Sequence, residues 1–488
     1  MSETAGPTSD HTGHRTAMPS SPGLIIGVMV VAAFVMILNE TIVSIALPHL
    51  AEEMDVDTTT VQWLISGFLV TMAVVIPTTG FLLERFTPRQ VFLVALSSFA
   101  GGTLLSAVAL GFPALLIGRM VQACGTAVMI PLVMTSVMKL VPANRRGAMM
   151  GTISIVIGVA PAIGPTVGGA VLAVLGWRWM FWLVLILAVL LLGFGIARLH
   201  VPSETRPVPL DLLSVGLSAV GFAGFVYGLS SIGQGGGILP PWASIGIGVV
   251  GLVVFAWRQR RLQAQDRPLL DLRTLNHPRY RLALILSLFL FMALLGAGAI
   301  LLPIYLQNVL GHGTLVAGLA LLPGGLTMAA VARPVGSLYD RGGARPLVIP
   351  GAVGMTAALA TFALLGAGAP LAAVIGAHML LMCSLGMMMT PLMTDALGAL
   401  PDDLYSHGSA LLATLQQVAG ALGSAVFVTV AALASLHPAG TPDAAGLRIA
   451  FFVAAGIGVV AIGVALMFKR PEPAPVEPVA IVDGGRQG

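Results

Sequence analysis

Two charged side chains lie inside long apolar runs of this 488-residue chain. Glu40 falls in "LNETIVSIALP", residues 38–48, within a run that extends from Leu24 to about Leu47. It precedes Pro48 by eight residues, about 12 Å along a helix that rises 1.5 Å per residue. An unpaired charge at that depth in a bilayer costs at least a few kcal/mol and is functional by default. Low dielectric penalises the charged form of a carboxyl group, so an acid placed there is suited to take a proton from one side and release it to the other. Arg119, in "LLIGRMVQACGTA", lies six residues past Pro113, roughly 9 Å into its own segment. The matching depth makes it the expected buried partner of Glu40, since neither charge is tolerated there alone.

A second group of charges repeats. "GFLLERFTPR" from Gly80 and "GSLYDRGGAR" from Gly336 share G-x-L-x-[DE]-R-x-x-x-R at an offset of 256. Acids and arginines at the ends of two repeat-related helices can pair across an interface when that side is shut and separate when it opens. Glu84, Arg85, Arg89, Asp340 and Arg341 are the expected gate. Asp395 is the remaining embedded acid; its place near a segment end favours interfacial solvation over a coupling role, and it is also a candidate substrate contact. Gln416 and Gln417 are candidate substrate contacts, or hydrogen-bond partners of another helix. The Met cluster "GMMMTPLM" would suit a yielding pocket, although lipid or helix contact explains it as well. Arg333 lies close enough to a helix end to snorkel.

The elements that carry these residues follow from composition. The chain is 57% hydrophobic and 9% charged, with mean hydropathy +0.96, against roughly 25% charged in soluble domains. Its charges sit in short stretches between apolar runs of about twenty residues, the length that crosses a bilayer. Fourteen such segments are expected, centred near residues 36, 71, 99, 126, 160, 188, 221, 251, 292, 325, 355, 383, 420 and 457. Residues 1–22 and 471–488 read as disordered tails, and the first lacks the basic start and cleavage site of a signal peptide. With the N-terminus inside, the inner tails and loops hold 20 of the 24 Lys and Arg; Arg119, Arg178, Arg333 and Arg448 fall elsewhere. Both termini are therefore expected in the cytoplasm of a multi-pass plasma (inner) membrane protein. That bias accounts for the net charge of +4 without a nucleic-acid partner. Cys124 and Cys383 both fall within spans and read as packing thiols.

The 256-residue offset also aligns "ALPHL" (46–50) with "LLPIYL" (301–306), and the Gly-rich segment near 160 with that near 420. Six segments, two extra and six again give the expected partition: an N-terminal half at 23–200, an inserted pair at 201–258, a basic loop at 259–281 and a C-terminal half at 282–470. Two parallel six-helix halves are the architecture of many secondary transporters, with substrate bound between the halves near the midplane. The inserted pair carries no intramembrane charge and is expected to be peripheral.

With these motifs in place, the chain resembles the fourteen-helix drug:proton antiporter branch of the major facilitator superfamily from residue 24 to 470. The helix-1 motif with Glu40, the loop motif from Gly80 and the Arg119 motif all match, as does "GTISIVIGVAPAIGPTVGGA" in segment 5. The run "LYSHGSALLATLQQVAGALGSA" and "PLLDLR" resemble the lincomycin-resistance-type subgroup. The resemblance implies that Arg119 takes part in proton transfer and that segment 5, with Gly151, Gly164, Pro165, Gly168 and Gly169, marks exporters rather than importers. Three departures stand out: Glu84 replaces an Asp, Thr87 a Gly, and Ala160 a Gly. Ala160, Gly164 and Gly168 form a smooth stripe that permits close helix approach, and Pro161 and Pro165 bend the segment.

The expected function is proton-coupled export of drugs, antibiotics or other amphipathic small molecules by alternating access. An importer or uniporter of a small metabolite is the alternative on the same fold. The expected partners are the substrate, protons and the bilayer. A monomer is the expected unit, with the proton gradient as energy source and no cofactor. A primary pump is disfavoured: neither lysine, Lys139 nor Lys469, lies in a G-x-x-x-x-G-K-[ST] loop. No H-E-x-x-H occurs and the nine His are scattered, so an intramembrane enzyme is not expected.

Overall fold

The computed structural model describes residues 22–199, 209–232, 239–435 and 442–468. The expected tails, apart from Pro22, lie outside the described residues, as do Lys469, Arg470 and the Pro165 side chain. The first half comprises α1 (Pro22–Glu53), α2 (Trp63–Arg85), α3 (Pro88–Ala107), α4 (Phe112–Leu140), α5 (Arg146–Leu175) and α6 (Trp177–Arg198). The extra pair is α7 (Leu212–Ser230) and α8 (Pro241–Gln263). The second half comprises α9 (Pro278–Val309), α10 (Thr314–Gly342), α11 (Arg345–Leu364), α12 (Leu371–Gly398), α13 (Tyr405–Leu433) and α14 (Ala444–Leu466). All but α5 are straight enough to count as single apolar spans, and α5, bent by 45° beyond Pro161, makes the fourteenth. Each expected centre falls inside one helix.

Local chemistry sets the breaks. α3 starts at Pro88, whose missing N–H costs nothing at a first helical position. Thr87 closes a capping box there: its Oγ1 accepts from the Gln90 N–H at 3.2 Å, and its own N–H donates to Gln90 Oε1 at 3.0 Å. The repeat-related Gly343 instead takes a positive φ of 72° to end α10. The two loops therefore turn differently, which accounts for a threonine in one and a glycine in the other. In α9, Pro303 removes a backbone donor, and wide π-type turns occupy Met292–Leu301 and Tyr305–Val309 on either side of it.

Lipid is as apolar as leucine, so helix association rests on close packing and polar contacts. Glycine supplies much of it. Gly221 meets Gly251, and Gly224 meets Gly248, drawing α7 and α8 into a tight hairpin. That hairpin is peripheral but not detached. Trp63 of α2 stacks on Tyr227 at 5.5 Å, and α7 also packs against α13. The pair thus touches both halves. The halves meet chiefly where α5 packs along α10 and where α13 packs against α2 and α4. These contacts gather toward the face that carries the basic loops, called the basic face below.

Candidate functional site

Residues 39 to 42 of α1 divide between two neighbours, α4 and α5. Asn39 is fully buried, and its Oδ1 accepts from Arg119 Nη1 at 2.9 Å. Thr41 and Ile42 point the other way, to α5. A Cβ on Gly164 would strike Thr41 Oγ1, and one on Gly168 would come 3.1 Å from Ile42 Cγ2. At 3.6 residues per turn, Glu40 projects between these two contacts, toward the gap between α4 and α5. It is half-buried and forms no ion pair or hydrogen bond with the described residues.

Arg119 is fully buried and held by neutral groups. Its Nη1 also donates to Gln122 Oε1 at 2.9 Å, its Nε to the Leu64 carbonyl at 3.4 Å, and the Phe68 ring lies 4.2 Å from the guanidinium carbon. Gln122 in turn donates to Thr103 Oγ1 at 2.8 Å. The direct Glu40–Arg119 pair expected from matching depth is therefore replaced by an Asn39–Arg119 contact. Depth places residues along the membrane normal but leaves their azimuth open, and Asn39 holds the azimuth that faces α4. The two charges remain within electrostatic reach of each other.

The glycines of segment 5 divide by face. Gly164 and Gly168 seat α1. Gly151 and Gly158, nearer the basic face, seat α10: a Cβ on Gly151 would come 2.6 Å from the Ala332 carbonyl oxygen. Gly169 has open space around it, so packing does not explain it. On the outer side of α1, α5 and α6 an apolar groove of about 330 Å³ is lined by Leu38, Ile42, Val167 and Val184 among others, with Glu40 absent from its wall.

At the basic face the two repeated motifs each reach across to the other half. Asp340 accepts from the Gly147 and Ala148 N–H groups at 2.8 and 2.9 Å. Its carboxylate thereby caps the positive end of α5. Gly336 lies directly on Gly147, where neither residue has room for a Cβ. Glu84 lies 3.2 Å from Nε2 of His407 in the first turn of α13, with Gly80 beneath the imidazole. Thr135 bonds Ser409 at 2.7 Å, Ser154 bonds Thr390 at 2.8 Å, and Arg146 Nη1 donates to Tyr405 at 3.4 Å.

The partners of the two acids differ from expectation: a helix terminus and a histidine, with no arginine. Arg89 donates to the Ile196 carbonyl at 2.8 Å, tying α3 to the end of α6 within its own half. Arg85 and Arg341 are exposed. Asp395 is also corrected: it is 3% exposed and ion-paired with Arg279 at 3.1 Å, with Tyr339 donating at 3.4 Å. A carboxylate so desolvated needs a charged partner more than interfacial water. Gln416 is buried and Gln417 half-buried on α13, and neither amide hydrogen-bonds a described residue.

Asn39, Gln122, Thr103 and His407 were not singled out from sequence. Gln122 carried a readable signal, standing three residues after Arg119 and hence on the same helical face. His407 also had one, since the repeat offset sets the start of α13 opposite the start of α5.

Residues 29–424 match the sequence profile of the Major Facilitator Superfamily. The lincomycin resistance protein LmrB of Listeria monocytogenes is 40% identical over 407 residues, 83% of this chain and 86% of that protein. LmrB of Bacillus subtilis is 38% identical over 474 residues, 93% of this chain and 98% of that one. Among solved structures, the human organic anion transporter MFSD10 superposes with a TM-score of 0.65 at 18% identity, covering 91% of this chain and 99% of the other.

Proposed function

Because the chain belongs to the major facilitator superfamily, we propose that this transporter is a proton-coupled exporter, exchanging protons for drugs or other amphipathic small molecules. The basic face is the cytoplasmic one in this reading, and both termini lie on that side. The observation that carries the proposal is Glu40: a half-buried carboxylate without an ion-pair partner, on the turn of α1 clasped by the Gly164–Gly168 stripe. The lincomycin-resistance names of its relatives support a drug as cargo.

In this reading the conformation described above is shut toward the cytoplasm by the contacts of Asp340, Glu84, Thr135 and Ser154. Glu40 takes a proton from the outside, the halves rock, and an entering cationic or amphipathic molecule displaces that proton to the cytoplasm. Arg119, fixed by Asn39 and Gln122, supplies a nearby positive field that favours proton release. Each charge crossing the membrane is worth about 2.3 kcal/mol per 100 mV, roughly a fifty-fold concentration ratio. One or two protons per cycle would therefore sustain useful export.

The test is accumulation of a labelled lincosamide in a susceptible bacterial host expressing the protein. Wild type should keep the drug out until a protonophore is added, whereas Glu40→Gln should accumulate it as the empty host does. Unchanged exclusion by that variant would remove Glu40 from the mechanism.

A further inference from the structure

The two repeat-related loops latch the basic face with different chemistry. Asp340 binds backbone N–H groups, whose protons do not titrate. Its counterpart Glu84 binds His407, which is 2% exposed and whose Nδ1 has no hydrogen-bond partner. The site is shaped for that ring: a Cβ on Gly80 would lie 2.6 Å from Nδ1. Histidine is the side chain whose ordinary titration falls between about pH 5 and 8.

Resting on the alternating-access reading above, we infer that His407 is a second protonation site of the transport cycle, which binds a cytoplasmic proton and strengthens the closed cytoplasmic latch.

The charged groups at this end of the neighbouring elements leave Glu84 as its partner. α2 brings Glu84 and the exposed Arg85; α4 brings the exposed Lys139, which lies within electrostatic reach of Glu84 and Asp402. Arg146 of α5 is turned to the Met138 and Val141 carbonyls and to Tyr405, with exposed Arg145 before it. From α9 and α12, Arg279 and Asp395 neutralise each other, Arg281 is exposed, and Tyr280 donates to the Gly408 carbonyl at 2.8 Å. The turn before α13 adds Asp402 and Asp403, both exposed. Beside α13, on the short helix Leu272–Asn276, Arg273 pairs with Asp271 and Asp266, and at α7 Arg258 pairs with Asp211.

The sign follows from the contact. A charge-assisted hydrogen bond is roughly twice as strong as a neutral one, and this one spans the two halves only while the cytoplasmic side is closed. Proton binding to the imidazole therefore favours the closed state. That stabilisation is present while the imidazole carries a proton and is lost when it does not. Since each exchange cycle brings protons in, such a latch slows the cycle when the cytoplasm is already acid.

The test uses the full chain in nanodiscs with Cys124 and Cys383 replaced by alanine and spin labels at Asn144 and Pro346, exposed residues on opposite halves at the basic face. The short-distance population is read by electron–electron resonance across about pH 5 to 8. Its ratio to the long-distance population should rise roughly 3- to 10-fold toward acid, the size of a partly exposed charge contact. The comparison is made in a Glu40→Gln background, where protonation of Glu40 no longer biases the halves: there the rise should persist, and adding His407→Gln or Glu84→Gln should flatten it. Equal titration with and without His407→Gln in that background, or a closed population that falls in acid there, overturns the inference. A single distance in every sample, Asp340→Ala included, overturns the rocking reading and the inference with it.

Discussion

Arg119 donates to the amide oxygen of Asn39 at 2.9 Å and makes no ion pair with Glu40, the next residue in the chain. A buried cation is thus held in place by neutral acceptors, while the neighbouring carboxylate makes no ion pair or hydrogen bond with the described residues. Asn39→Leu should leave a guanidinium donor unanswered in a dry interior, at a cost of about 1–3 kcal/mol. Thermal unfolding in detergent would register this as a lowered Tm. Asn39→Asp should instead capture Arg119 in a direct pair, restoring Tm while slowing transport. Equal Tm for wild type and Asn39→Leu would mean that the contact contributes nothing.

Gly164 and Gly169 belong to one motif and should behave oppositely on mutation. A Cβ at Gly164 meets Thr41 on the turn that carries Glu40, whereas none of the atoms around Gly169 lies within 4 Å of such a Cβ. Gly164→Ala should therefore abolish drug exclusion, and Gly169→Ala should leave packing and export near wild type. Comparable losses in a growth assay on lincosamide plates would count against a packing role for the stripe.

Asp340 caps α5 from the other half, so its loss should open the basic face. Removing an N-cap carboxylate typically costs about 0.5–2 kcal/mol. In a background without Cys124 and Cys383, a cysteine at Ser409, which is buried, should react with a membrane-impermeant maleimide several-fold faster in Asp340→Ala. No change in labelling rate would mean that the cap does not hold the gate.

Asp211 anchors the α7–α8 hairpin through Arg258 at 2.7 Å. The Arg258 hydrogen bonds hold its carboxyl well down, at about 2 against an ordinary 3.8. A carboxyl lowered on folding contributes stability above its ordinary value and loses it as pH falls through the lowered one. Between about pH 5 and 8 the hairpin's anchorage should therefore be independent of pH, and any pH dependence of conformation there must arise elsewhere. Unfolding of wild type and Asp211→Asn should differ by a constant amount across that range and converge toward pH 2. A difference that varies near neutrality would contradict this.

Much of the fold was legible because bilayer thickness imposes a length on every apolar run. Glu40 and Arg119 announced themselves as charges that hydrocarbon does not tolerate without a reason. Their partners did not, because Asn39 and Gln122 are unremarkable residues until the azimuths of α1 and α4 are known. The acids of the two repeated loops were visible through the 256-residue offset, yet Asp340 bonds to backbone N–H groups, which no side-chain pattern records. Arg89 looked like a gate residue by spacing alone; only the packing of α3 on α6 reveals the Ile196 carbonyl that it serves. Asp395 sat near enough to a helix end to suggest water, until α9 was seen to bring Arg279 over it.

Glu40 as the exchange site is tested most directly by proton movement in energised inverted membrane vesicles. A panel of lipophilic cations and lincosamides is added to vesicles carrying wild type or Glu40→Gln, and the internal pH is followed with a fluorescent dye. The wild-type pH gradient should collapse on addition of a transported compound, and the Glu40→Gln gradient should hold with the protein present at the same level. Equal collapse in both would contradict Glu40 as the proton carrier.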